Sequence, residues 1–413
     1  VATILAYTSP ALGHLLPMSA VLTELANRGH EIHLRTLSHG VETGRSLGFA
    51  TETIDPGIEA ITQDDWQGSN PIAALRISAS VFGRRAEREV DDLAAAVTDV
   101  MPDALLIDVN CWGALCSAEA GDTPWASFCP YTPLLRSRGV PPFGMGLRPL
   151  PGALGRARDA VATAALLAPL ERFGRRPLNT VRAGVSLPPV KSMDEFLRRA
   201  PLLLVASGKP FQYPQTDWGD TIHMIGPCAA DPGDDVVPGW LANIEQPIVL
   251  VTTSSEKQGD AELVSTAIAA LADEPVHVVA TMPAGELTGL STPANATLCK
   301  YVPHGLMLSR SVCAVTHGGM GATQKALNHG VPVCVVPYGR DQFEVARRVE
   351  VARCGTRLPA KKLSVSRLRA KVHEAMTMTE GARRVAEGFA ATGGAARGAD
   401  LFEQRVLAVT DSK

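Results

Sequence analysis

Hydrophobic positions along the 413-residue chain recur in two rhythms. Short, nearly unbroken apolar runs at 2–7, 104–109, 125–128 and 202–205 each end in polar or turn residues. Such runs predict strands buried on both faces, as in parallel sheets covered by helices. Between the first run and the next strand, residues 15–28 repeat apolar side chains at helical spacing, Gly29 caps, and 31–36 begins a strand. That order predicts a right-handed βαβ crossover. The run at 202–205 is expected to close the N-terminal half. Turn formers and charges then cluster at 229–239 and read as a linker. Beyond it the alternation restarts, with strands predicted at 248–252, 277–280, 298–301, 311–316 and 333–336, and a helix at 260–272. The tail from Ser364 is helical and rich in Arg and Ala. The pattern predicts an α/β protein of two facing, Rossmann-like, doubly wound domains at 1–226 and 241–390. The linker spans 227–240, and 391–413 forms a last helix. No internal repeat or low-complexity tract stands out.

Composition narrows the function classes. A chain of this length exceeds one ordinary core, which agrees with two domains. Its net charge of −3 lacks the basic excess of a nucleic-acid binder. No stretch approaches the roughly 20 apolar residues that span a bilayer. The start of the sequence has no signal-peptide pattern, so a cytoplasmic location is the expectation. The eight cysteines are scattered singly at 111, 116, 129, 228, 299, 313, 334 and 354, which fits neither a disulfide framework nor a metal cluster. Between Tyr131 and Arg182 lie nine arginines and two acids, Asp159 and Glu171. Helices with solvated Arg faces explain this segment, as does an acceptor-covering region; membrane contact is not expected.

Candidate chemistry concentrates at two strand ends. The predicted strand 311–316 runs into His317, Gly318, Gly319, Met320 and Gly321, and a helix follows to His329. Glycines let a ligand approach the backbone, and the unpaired N–H groups of a new helix favour a diphosphate. His317 and Thr323 supply possible side-chain donors. Asp341 and Gln342, beyond the apolar run 331–337, suit sugar hydroxyls. Ser255, past the strand 248–252, reads as another phosphate contact or as an ordinary turn serine. The second site is the first turn, where Gly13 and His14 open a helix after strand 2–7. There the helix dipole is expected to lower the His14 pKa and keep the ring neutral, as a general base requires. Asp108 ends the run 104–107 at the same sheet edge. It is a partner for His14 or, alternatively, a cap for the helix beginning at Trp112.

Taken together, His317, Gly319, Gly321, Thr323, Pro337, Asp341 and Gln342 resemble the donor signature of family 1 glycosyltransferases, the group that includes bacterial antibiotic and macrolide glycosyltransferases. The resemblance runs from the Gly13-His14 turn to the C-terminal helix. It implies the two-domain GT-B fold, a last helix crossing back to the N-terminal domain, and Asp108 as the partner of His14. Lys325 departs from the pattern, standing where the family usually has a ribose-reading glutamate. Tyr301 and Val302 match the family's nucleobase-binding segment, but with Tyr301 and His304 in place of the usual Trp and Gln. The choice between uridine and thymidine stays open. The implied reaction is inverting transfer from a UDP- or dTDP-sugar to a hydroxyl of a small hydrophobic or aromatic acceptor, without metal or resident cofactor. Trp112, Phe128, Tyr131, Phe143 and Met145 are the candidate acceptor lining, or else ordinary core. The protein is expected to be a monomer or homodimer whose domains close on the donor. Alternatives are a nucleotide-sugar 2-epimerase of the same architecture, a non-catalytic partner protein, or a dehydrogenase. The last lacks an N-terminal dinucleotide fingerprint.

Overall fold

The computed structural model describes residues 1–68, 71–228, 237–256, 258–287 and 292–408. The expected linker at 227–240 therefore falls largely outside the described residues. The first half folds around a seven-stranded sheet of β1 (Thr3–Tyr7), β2 (Glu31–Thr36), β3 (Ala50–Thr53), β4 (Ala104–Asp108), β5 (Trp125–Cys129), β6 (Leu203–Val205) and β7 (Ile222–Met224). Its order is β3-β2-β1-β4-β5-β6-β7, parallel throughout. The second half contains β8 (Ile248–Thr252), β9 (His277–Thr281), β10 (Ala296–Cys299), β11 (Ser311–Thr316), β12 (Val333–Val335) and β13 (Gly355–Arg357). These form a second parallel sheet in the order β10-β9-β8-β11-β12-β13.

Both sheets are covered on both faces, which is why their strands carry unbroken apolar runs. Leu5, Tyr7, Leu105 and Ile107 enter one core, while Ile4, Ala6, Ala104 and Leu106 enter the core on the opposite face. The two-residue alternation sorts them. The second sheet repeats the arrangement, with Leu250 and Ala314 on one side and Val249, Val251 and Cys313 on the other.

Three strands were not foreseen: β3, β7 and β13. In β3 only Thr51 is buried, and β13 is Gly-Thr-Arg, so neither edge strand has a hydrophobic signature. The first sheet consequently ends at β7 rather than β6. β10 also lies two residues earlier than expected.

The chain tail ties the halves together. Helix Thr379–Thr392 packs on helix Met320–Asn328 of the second half. Helix Gly394–Arg405 then returns to the first half, where Leu401 and Phe402 share a core with Leu15, Met18 and Val21. Arg28 bonds Asp400 at 2.8 Å and Glu403 at 2.7 Å along this contact. No helix among the described residues is long and apolar enough to cross a membrane.

Each sheet has one topological switch point, where strand order reverses: between β1 and β4 in the first, and between β8 and β11 in the second. Crevices at such points, beyond the carboxyl ends of the strands, are where doubly wound sheets bind ligands.

Candidate active site between the two switch points

At the first switch point, β1 and β4 run in register, with Tyr7 opposite Ile107, so their exits lie side by side. The chain leaving β1 turns into helix Leu12–Asn27 and carries His14 in its first turn. Asp108 is the last residue of β4 and has no exposed surface. His14 Nδ1 lies 2.5 Å from Asp108 Oδ2. The other carboxylate oxygen accepts the Asn110 backbone N–H at 2.7 Å. Asp108 does not cap the following helix, whose N-cap position belongs to Cys111.

The far side of the imidazole is ordered as well. Tyr131 donates its hydroxyl to Asn110 Oδ1 at 2.6 Å, which turns the Asn110 amide nitrogen toward His14 Nε2 at 3.3 Å. The Tyr131 ring meets His14 edge-on, with centroids 5.7 Å apart. This chain assigns the tautomer: Nδ1 carries the proton donated to Asp108, and Nε2 presents its lone pair. At 3.3 Å the Asn110 contact is long for a hydrogen bond and easily replaced by a hydroxyl.

Burial opposes a charged His14, but Asp108, through its charge and its hydrogen bond, outweighs burial and raises the pKa above the ordinary histidine value. The sequence expectation was the reverse, a pKa lowered by the helix dipole. A buried carboxylate in direct contact outweighs the partial charge of a helix end.

The second switch point places the Gly-rich loop. β11 ends at Thr316, opposite Thr252 at the end of β8. Gly318 takes φ +93°, and an added Cβ would lie 3.0 Å from both Gln342 Cβ and Val335 Cγ1. At Gly319 a Cβ would meet the His317 ring at 2.4 Å, so its absence lets the imidazole lie over the loop. Gly319 then starts helix Met320–Asn328 without any side-chain cap, and Gly321 is exposed in its first turn. The first N–H groups of that helix are consequently left for a ligand. His317 is 7% exposed, and its Nδ1 is buried without a hydrogen-bond partner. Burial outweighs the nearby Asp260 and lowers its pKa, keeping it neutral.

Thr323 and Gln342 are used differently from the sequence expectation. Thr323 is fully buried, and its hydroxyl pairs with Thr316 at 3.0 Å, so it braces the loop from behind. The Gln342 carbonyl oxygen accepts the backbone N–H groups of Tyr338 and Gly339 at 2.7 and 3.0 Å, and its amide nitrogen donates to Gln258. It shapes the turn ahead of helix Gln342–Ala352 and is 1% exposed. Asp341, at the N-cap of that helix, makes no side-chain capping bond. Burial raises its pKa, and His14 and Asp341 lie close enough for each to shift the other's titration. The loops that leave the two switch points therefore lie close to each other. Ser255 is exposed beyond β8, Tyr301 is half exposed, and Val302 is buried behind it.

One cleft residue was missed from sequence. Arg340 stands in a left-handed conformation, φ +50°, costing about 1–3 kcal/mol of strain. Its guanidinium grips Asp65 of the first half with two bonds, at 2.7 and 3.0 Å, and Glu256 of the second at 2.6 Å. Burial alone would weaken its hold on the proton, but the two carboxylates reverse this and raise its pKa.

Residues 265–397 match the family described as erythromycin biosynthesis protein CIII-like, C-terminal domain. The chain is 30% identical over 421 residues to 4'-demethylrebeccamycin synthase of Lentzea aerocolonigenes, covering 97% of this chain and 99% of that protein. The chain belongs to the two-domain natural-product glycosyltransferases. Its fold agrees with solved members: the glycotransferase of kitacinnamycin superposes with a TM-score of 0.75 at 24% identity, covering 98% of this chain and 99% of the other. The glycosyltransferase VinC, solved in complex with dTDP, gives 0.71 at 18% identity, covering 100% of both.

For this glycosyltransferase the acceptor side needs correction. Phe128 has no exposed surface and packs beneath helix Leu12–Asn27, while Trp112 is buried against Phe82, with ring centroids 5.1 Å apart. Both are core residues. Tyr131 touches the His14 ring, whereas half-buried Phe143 and exposed Met145 lie on a loop against helix Gln342–Ala352 of the second half. Asn110 was also overlooked; the Asp108-Val109-Asn110 spacing after a buried strand was its available signal.

Proposed function

We propose that the chain transfers a sugar, with inversion, from a UDP- or dTDP-sugar to a hydroxyl of a small hydrophobic or aromatic natural product. The observation that carries this reading is the His14–Asp108 pair, with its 2.5 Å contact, set close enough to Asp341 of the second half for each to shift the other's titration. His14 Nε2 takes the acceptor proton as the oxygen bonds to the anomeric carbon. The bond to the diphosphate breaks on the opposite face and the diphosphate leaves with the electron pair. Asp108 steadies the imidazolium formed. Charge growing on the diphosphate is met by the N–H groups around Gly319 and Gly321, by neutral His317, and by Ser255. Asp341 takes sugar hydroxyls, while Gln342 and Thr323 hold the loops in shape. Tyr301 offers its exposed face to the nucleobase, with the Val302 backbone beside it. The acceptor lies against Tyr131, Phe143 and Met145. Backbone donors and His317 carry the charge stabilisation, so no metal or resident cofactor enters the scheme. The likeness to a rebeccamycin-type synthase and to a transferase crystallised with dTDP supports the donor and acceptor classes.

Calorimetric titration with dTDP, UDP and NAD in the presence of a chelator tests this reading. One pyrimidine diphosphate is expected to bind and NAD not to bind. His317→Ala is expected to weaken the diphosphate by roughly 10-fold, the scale of one charge-assisted hydrogen bond. Absence of binding by both diphosphates would remove the donor site.

A further inference from the structure

The loop that carries Phe143 and Met145 belongs to the first half of the chain, yet its backbone is held by the second. Glu344 lies in helix Gln342–Ala352, three residues beyond Asp341, and is 2% exposed. One of its oxygens accepts two backbone N–H groups of the loop, from Gly144 at 3.0 Å and Gly146 at 2.7 Å. The other accepts from Arg348 at 2.7 Å. Arg347 of the same helix donates to the Gly146 carbonyl at 2.7 Å. The loop thus offers both backbone polarities to one helix face.

The grip is anchored from behind. Arg348, 3% exposed, donates to Gln212 Oε1 at 2.8 Å and stacks over the Tyr213 ring at 4.4 Å. Gln212 in turn donates to Thr132 at 2.8 Å and Ser207 at 3.0 Å. Glu344 therefore cannot swing away without leaving buried Arg348 short of its counter-charge. The loop is fitted closely to its seat. Gly146 takes φ +57°, and an added Cβ would lie 2.3 Å from the Phe343 carbonyl oxygen.

Met145, between the two gripped glycines, is 41% exposed. A hold placed on both its neighbours fixes where that side chain stands while leaving it accessible. The helix that does this also begins at Asp341, the residue proposed to take the sugar hydroxyls.

We propose that Glu344 is a positioning residue that registers the acceptor-side loop at 143–146 against the sugar-reading end of the donor domain. The acceptor hydroxyl then meets the anomeric carbon in line with His14. This assignment rests on the proposed transferase reading. It implies a specific defect when the hold is lost: the donor still binds and its sugar is still exposed, but the acceptor is poorly held. Water then competes for the anomeric carbon.

Two variants separate this from a general packing role. Glu344→Gln removes the charge that pairs with Arg348. Gly146→Ala leaves the Glu344–Arg348 pair intact and pushes the loop off its seat. Steady-state transfer to an acceptor found by screening and sugar release to water are measured alongside melting temperature and the affinity for whichever pyrimidine diphosphate the parent binds. Both variants are expected to raise the acceptor KM about 10-fold and to increase the ratio of hydrolysis to transfer, with diphosphate affinity within about two-fold of the parent. Glu344→Asp is expected to recover part of the transfer. Parallel losses of diphosphate affinity, transfer and melting temperature would overturn the assignment, as would a folded Gly146→Ala with an unchanged acceptor KM. A parent protein that binds neither pyrimidine diphosphate would instead remove the transferase reading itself. The protease susceptibility of the loop at 139–150 would then decide the hold alone, being expected to rise in both variants and overturning the hold if unchanged.

Discussion

Replacing His14 by alanine is expected to lower kcat for sugar transfer by roughly 10²–10⁴-fold, the range that a positioned general base contributes. Diphosphate binding is expected to stay within about two-fold of the parent, because the proposed donor cradle is built from β8, β11 and the loops after them rather than from the first helix. On the proposed reading one switch point supplies the base and the other the phosphate donors, so chemistry and donor binding are expected to be lost independently. His14 is 16% exposed at its side chain and sits in the first turn of its helix, so alanine fits locally. A folded variant with parental transfer would remove His14 from the mechanism.

Asp108→Asn is expected to be the second-largest loss and the more diagnostic one. The carboxylate fixes the proton on Nδ1, stabilises the imidazolium and raises the His14 pKa against the opposing effect of burial. With His14 as the proposed base, transfer requires it unprotonated, so kcat/KM for the parent is expected to climb with pH through a midpoint above the ordinary histidine value of about 6.5. Asparagine deletes the charge while burial remains, so the midpoint moves to lower pH. The plateau falls by roughly 10²-fold, because the imidazolium formed in the step is no longer compensated and the amide can hold the wrong tautomer. A lower plateau with an unmoved midpoint would mean that Asp108 acts on packing rather than on His14. Since Asp108 is fully buried, the melting curve of the variant must be measured alongside.

These two residues were legible in the sequence because Asp108 stands where an apolar run stops and His14 in the turn into a helix that follows one. A buried parallel strand announces its carboxyl end by losing hydrophobicity, and switch-point chemistry collects there. The Gly-rich loop was readable for the same reason. Edge strands β3 and β13 were not, since a strand such as Gly-Thr-Arg carries no apolar signal. Aromatic identity also misled. Phe128 lies on the strand face that packs under the first helix, and nothing local distinguishes that face from one lining a pocket. The cross-cleft bonds were the least legible. Arg340 and Asp65 are 275 positions apart, and Glu344 reaches Gly144 across 200, so only the docking of the two halves brings them together. The His14 pKa failed differently: both influences were visible, and their relative strength depends on a 2.5 Å contact that sequence does not supply.

In the proposed reaction a single displacement has His14, from the first half, direct an acceptor oxygen at a sugar whose diphosphate is held by the second. The anomeric configuration of the product tests it most directly. It is read by NMR from the coupling at the anomeric proton, after transfer from an α-linked glucosyl diphosphate of whichever nucleotide binds. A single displacement gives a β-linked product. An α-linked product would mean two displacements or a front-side route, and would contradict the role assigned to His14.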